Sequence, residues 1–316
     1  MSQRVSIDDR QRDAESGRLL RAFSAEYRRA KRYRALRIGV SMVLAATAPV
    51  LSVASLTAAG VVGAVAGVWV VASRLVLIPI EQRHVRLAVR IQERFDCRLF
   101  DLPWADSMAG PTPPEEDIAD AARRLEGDGR VARQHQEGWY PSTVGLPYPV
   151  DVLVAQWSSV AYGRHQSRAY FHFIAATITL VVVAVIAVGV VGEMSLTDWL
   201  ITFALPSLPA TLDASEIADA HRRMADRKAK NEDELLQPLW SGELSAPGAL
   251  SAADCRRVQD ESFALRSRGL QVPDWFFWRR RERSEANMHE AAEVRREQHA
   301  RATASIPQSS NAPLRD

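Results

Sequence analysis

The stretch IGVSMVLAATAPVLSVASLTAAGVVGAVAGVWVVAS, residues 38–73, contains no Asp, Glu, Lys, Arg or His. A bilayer crossing needs about 20 apolar residues, and an apolar run of about 10–14 is the usual limit for a buried core helix. This run is long enough for two crossings, so it must fold back on itself. Its most turn-prone point is Thr57-Ala58-Ala59-Gly60, which predicts one helix over 38–56 and a second over 61–80. A second apolar stretch, residues 169–192, carries His172 as its one ionisable group and predicts a third crossing at 169–191.

The fourth segment is less apolar. Residues 199–212 are uncharged, and as a helix they extend about 21 Å. Starting at Met194 takes in Asp198 and gives about 28 Å, enough for an untilted span. Pro206 and Pro209 would kink such a helix, which membrane helices tolerate. The reading adopted is a full crossing over 194–212; the alternative is a re-entrant or interfacial segment.

Charge asymmetry orients these segments. Arg28, Arg29, Lys31, Arg32, Arg34 and Arg37 precede the first, and Arg83, Arg86 and Arg90 follow the second. Arg164 and Arg168 precede the third, while Arg222, Arg223, Arg227, Lys228 and Lys230 follow the fourth. The two short loops between paired segments contain no Lys or Arg. Basic flanks mark the cytoplasmic side, so both termini and residues 81–168 are expected inside, and Tyr33, Tyr170, Phe171 and Trp199 at the interfaces. The expected class is an all-α membrane protein: two transmembrane hairpins, 38–80 and 169–212, and a mainly helical cytosolic domain built from the insert 81–168 and the tail 213–306. Residues 1–37 precede these as a cytosolic amphipathic helix, and residues 307–316 are expected to be disordered.

Within the polar parts, Leu20, Phe23, Tyr27 and Ala30 recur at helical spacing. They indicate a helix that runs into the first crossing, either packed on its own protein or serving as an oligomerisation stem. Thr112-Pro-Pro-Glu115-Glu116-Asp117 reads as a helix start, and Ser251-Ala-Ala-Asp254 as a capping box. Trp275-Phe276-Phe277-Trp278 precedes Arg279, Arg280 and Arg281. That cluster either packs in the cytosolic core or dips into headgroups.

Other chemistries are disfavoured. The net charge of +2 gives no field for DNA binding. The histidines show no zinc-ligand spacing, no Gly-rich phosphate loop precedes a Lys-Ser/Thr, and no Gly-x-Ser-x-Gly elbow occurs. Glu115, Glu116 and Asp117 are explained by a helix N-terminus. No catalytic residue, metal or cofactor is expected. Gly63 and Gly67 present small residues one turn apart, suited to close helix packing within one chain or between copies. The few hydroxyls of the apolar runs, such as Ser41, Thr47, Thr177 and Thr179, form no charged ring for ion selection.

Phe100-Asp101-Leu102-Pro103-Trp104 lies just beyond the second crossing, Trp139-Tyr140-Pro141 within the insert, and Val272-Pro273-Asp274-Trp275-Phe276 in the tail, with Arg281, Glu285 and Met288 beyond. Together with the layout, these motifs resemble the SMODS-associated four-transmembrane family of pore-forming effectors. Ala155-Gln156-Trp157-Ser158-Ser159 keeps the Gln of that family's Cys-Gln-Arg-x-Asn stretch, and Tyr162-Gly163 stand where the family has Trp-Asp. The resemblance implies a bacterial anti-phage effector of the inner membrane, responsive to a cyclic oligonucleotide, forming homo-oligomers in the bilayer when active and halting the infected cell. An anionic signal calls for cationic and aromatic partners; Arg168, Arg266, Arg279, Trp104 and Trp139 are the candidates. The competing reading is a non-conducting membrane scaffold or sensor that recruits a cytosolic partner.

Overall fold

The computed structural model describes residues 4–54, 56–200 and 205–305, and every regular element among them is helical. A short α1 (Ile7–Arg10) precedes α2 (Ala14–Ala54), an unbroken helix of 41 residues. Next come α3 (Leu56–Ala72), a π-helical turn (Ser73–Leu77) and α4 (Ile78–Phe100). Short helices α5 (Asp106–Ala109), α6 (Glu115–Arg123) and α7 (Gly129–Glu137) lead to α8 (Val150–Val191), 42 residues long. After α9 (Leu196–Trp199), α10 (Leu205–Asn231) passes through a second π-helical turn (Glu232–Leu236) into α11 (Gln237–Ser245). The chain closes with α12 (Ala252–Arg268) and α13 (Asp274–Ala304).

The first hairpin turns earlier than expected. Thr57 to Gly60 are helical, within α3, and α2 ends at Ala54; Ser55 lies outside the described residues. Small residues permit a turn but do not require one when the backbone can keep its own hydrogen bonds, which an apolar surrounding demands. The Trp69 indole donates to the Ser41 hydroxyl at 3.3 Å, and these two positions are equidistant from position 55, as in an antiparallel pair. At the base of the hairpin the Arg34 guanidinium grips Glu81, with Nε 2.7 Å from Oε1 and both side chains buried. The second hairpin closes where the Trp199 ring packs over Gly189, the indole donating to the Val185 carbonyl at 2.9 Å.

Two helical stretches among the described residues, Ala64–Phe100 and Val150–Val191, are long and apolar enough to cross a membrane. Only 11% and 6% of their apolar windows are covered by protein, whereas a core helix of a soluble domain would be covered. The first and fourth expected crossings each include residues outside the described set, as does the expected disordered tail, 307–316.

The opposite ends of the same helices share one core. Leu19 and Phe23 of α2, Phe95 and Leu99 of α4, Ile118 of α6, Leu153 of α8 and Val258 of α12 are all buried in it. The N-terminal helix, the insert and the tail thus form one body, with the apolar face of residues 19–30 turned inward. Helix α4 ends because Asp101 adopts a left-handed conformation (φ 60°) and its N–H bonds back to the Cys97 carbonyl. Helix α6 starts on Pro114, not on the expected Thr112 hydroxyl; prolines preset the backbone and the three acids meet the helix dipole. The capping box at Ser251 and Asp254 is formed.

Candidate functional site: a cationic, aromatic cleft above the apolar helices

The floor of the site is a buried polar network. Glu93 and Asp96 stand on one face of α4, and Arg256, Gln259 and Arg266 recur at helical spacing along α12. Glu93 accepts from Arg256 at 2.6 Å and from Gln259 at 2.7 Å. Asp96 is fully buried; its Oδ1 accepts from the Tyr140 hydroxyl at 2.7 Å and its Oδ2 from Gln259 at 3.0 Å. Arg266 Nη1 lies 2.6 Å from the same Oδ2, as an ion pair without hydrogen-bond alignment. Gln156 on α8 donates to the Cys255 carbonyl and to Gln259. Buried charges persist only when paired in this way. Burial opposes the Arg266 charge, but Asp96, Tyr140 and Glu93 together hold its proton more firmly than usual.

Above this floor lies a cleft of about 230 Å³ walled by α2, α8, α10, α12 and the start of α13. Its aromatic lining includes Tyr27, Trp139, Tyr162, Phe277 and Trp278. Trp139 is fixed edge-on against Phe23, ring centroids 5.1 Å apart, and Tyr27 donates to Gln92 at 2.8 Å. Four cations line the cleft: Arg28, Lys31, Lys228 and Arg266. Arg28 pairs with Asp128 and Lys31 with Asp274, each at 2.6 Å.

Lys228 differs from the other three. Among the described residues no carboxylate comes within ion-pairing distance of it, and it makes no hydrogen bond. The nearest candidate, Glu232, is held by Arg164 at 2.7 Å. Burial pushes the Lys228 ammonium down to about 8, Arg266 adding to the fall and Glu232 opposing it. Gly163 makes room for it: a Cβ there would overlap the ammonium. An unpaired, half-buried ammonium shares the cleft with a guanidinium and several aromatic faces, a combination of groups suited to an anion that carries rings.

Of the five candidate binding residues, the cleft gathers Arg266 and Trp139; Tyr140, Asp274, Glu285 and Met288 of the shared motifs line it as well. The Trp104 indole instead donates to the Gly110 carbonyl at 2.9 Å and covers a satellite core of Ala30, Val85, Val89, Ala109 and Phe263. Arg168 and Arg279 are exposed and do not line the cleft, since neither falls on the helix face that does. The shared motifs divide similarly. Phe100 and Leu102 are buried, with the Phe100 ring tilted against that of Tyr140 at 5.1 Å between centroids, and the Pro103 carbonyl accepts from Arg256. Pro273 and Asp274 open α13, Asp274 holding Lys31, while Trp275 is 54% exposed beside Phe173. Lys228 and Gly163 figure in the sequence reading only as part of a basic flank and of a departure from the family pattern, not as binding residues; the available signal was that Lys228 is one of just three lysines among 40 cationic residues. Among the described residues no three His, Cys, Asp or Glu side chains converge to hold a metal ion.

Residues 5–294 match the family described as the SMODS-associating 4TM effector domain, and that span takes in every wall of the cleft. The chain belongs to this family. A probable CBASS effector molecule of Bacillus cereus (strain VD146) is 26% identical over 290 residues, covering 89% of this chain and 95% of that protein. No solved structure matches the chain. Two walls of the cleft, α2 and α8, are the polar ends of helices that continue into apolar segments without an intervening linker.

Proposed function

We propose that this chain is a membrane-permeabilising effector of a bacterial anti-phage system, with four helices crossing the inner membrane, both termini cytoplasmic, and the cleft receiving a cyclic oligonucleotide. The observation that carries this reading is the unpaired Lys228 beside Arg266 in an aromatic cleft whose walls are the same continuous helices that become apolar. Phosphates would take the two cations, and bases would stack on Trp139, Tyr162 and Trp278. A ligand that draws the Lys228 ammonium off Gly163 changes the contact between α10 and α8, and both helices pass that change directly to the second hairpin. Membership of an effector family and the likeness to a CBASS effector support the biological setting.

The conducting path would be assembled from several copies. Thr47, Thr177 and Thr179 each donate to the carbonyl four residues back on their own helix. Their hydroxyls are therefore already engaged, and a pore lined by these surfaces would close by dewetting.

The test is membrane potential, followed with a potential-sensitive dye in bacteria that co-express the chain and a cyclic-oligonucleotide synthase. The wild type depolarises the cells, Lys228→Met does not, and Arg168→Gln behaves as wild type. Cells that stay polarised with wild type and signal present would favour the scaffold reading.

A further inference from the structure

A second cavity, of about 360 Å³, lies toward the membrane side of the cleft, and the Lys31–Asp274 ion pair stands in the wall common to both. Its rim includes Ile38 and Tyr170, where α2 and α8 turn apolar, and the exposed Trp275 indole. The cavity therefore opens at the level where a polar head meets hydrocarbon. Its side chains are markedly basic: Arg28 and Arg34 are already committed to Asp128 and Glu81, but Arg32 and Arg130 are exposed and have no carboxylate partner among the described residues. Arg130 lies over the Trp278 ring, 5.5 Å from its centroid. The single carboxylate of the lining, Asp274, is held by Lys31.

His221 lines the same cavity. It is 1% exposed, packed edge-on against Tyr170 at 4.8 Å, and neither ring nitrogen has a hydrogen-bond partner. A buried polar group left unsatisfied costs on the order of 1–3 kcal/mol, so an imidazole with two idle nitrogens marks a place where something else completes it. Burial, with Arg34 and Lys228 adding to it, pushes this ring down to about 3. At neutral pH it is uncharged, with one N–H to donate.

We propose that this cavity holds the phosphate of an anionic phospholipid, with His221 as the buried hydrogen-bond donor and Arg32 and Arg130 as its charge partners. The acyl chains would lie along the bare apolar surfaces that begin at Ile38 and Tyr170. Basic pockets between membrane helices on the cytoplasmic side are suited to such headgroups. The site is independent of what the neighbouring cleft binds.

Native mass spectrometry of the full chain in detergent, titrated with phosphatidylglycerol and separately with phosphatidylcholine, tests it. The wild type retains phosphatidylglycerol in preference, and His221→Phe, which keeps the ring against Tyr170, lowers that retention about tenfold, as expected for one charge-assisted hydrogen bond. The double variant Arg32→Gln/Arg130→Gln, altered at exposed positions, lowers it similarly and decides the matter if His221→Phe does not fold. Equal retention of the two lipids by the wild type, or wild-type retention by the double variant, would overturn the proposal. Release of bound phosphatidylglycerol by millimolar inorganic phosphate would overturn it too, by assigning the cavity to a soluble anion.

Discussion

The two halves of α8 obey opposite rules. From Val150 to Ser167 it is enclosed: Val152 to Ala155 are fully buried, Gln156 donates into α12, and Trp157 packs edge-on against Trp240 under the Arg295 guanidinium. From Leu180 to Val191 most of its apolar side chains stand bare, Leu180 at 70% and Val191 at 84% exposure. Continuous bare apolar surface on this scale is not carried in water. The first half is specified by partners, with Gln156 and Ser158 donating to particular neighbours. The second is specified by solvent, since hydrocarbon asks only that a side chain be apolar. The halves should therefore fail in different ways.

The largest contrast comes from removing a partner. Arg256→Ala strands Glu93, which is 1% exposed and whose other hydrogen-bond partners, Gln259 and Cys97, are uncharged donors. Breaking a buried pair from one side costs about 3–5 kcal/mol, whereas Val183→Ala on the bare half should change stability by about 0.5 kcal/mol or less. Thermal unfolding of both variants in the same detergent measures the difference. Equal shifts would mean that the bare half is packed by protein after all.

The next effect reverses the roles. Ala184→Asp places a charge midway along the bare half, where insertion costs about 2.5–3.5 kcal/mol, while nothing in the head is touched. Alkaline phosphatase fused after Gly192 should be active in the periplasm for the native chain and weakened by Ala184→Asp. The same enzyme fused after Ala304 should be inactive in the native chain. An inactive fusion after Gly192 would refute the crossing by α8.

What a sequence conveys differs along the same line. The bare halves could be read directly, because an uncharged run of 36 residues has few environments open to it. Helix continuity across the boundary was equally plain, since no Gly or Pro falls between Arg18 and Ile38 or between Glu81 and Phe100. The turn was misplaced by a few residues because all positions near it are small and apolar. The cleft was only half visible. Tyr27, Gly163, Lys228 and Arg266 are far apart in the chain and meet because α2, α8, α10 and α12 cross there. Arginine is so frequent that Arg168 and Arg279 could not be separated from Arg266 without knowing which helix face looks inward. A lysine in an arginine-rich chain was the rarer signal, and it marks the one cleft cation left without a partner.

That lysine also supplies the smallest and most specific effect, a dependence on pH that the paired half of the comparison should lack. Unfolded, a lysine holds its proton to about 10.4; folded, Lys228 begins to lose it near 8. Between those values the unfolded chain binds more protons, so the stability contributed by this residue rises with pH across that window. Anion binding runs the other way, because a phosphate favours the ammonium and raises its pKa in the complex. Affinity for the tightest binder in a panel of cyclic di- and trinucleotides should be level below pH 8 and fall above it, by up to tenfold per unit. Lys228→Arg, charged throughout, should flatten the profile, and Gly163→Ala, which displaces only the flexible end of Lys228, should weaken binding with little loss of stability. Isothermal titration at pH 7 and pH 9 separates these outcomes. A wild-type affinity unchanged between the two would place the anion on Arg266 and the other guanidinium groups, not on Lys228.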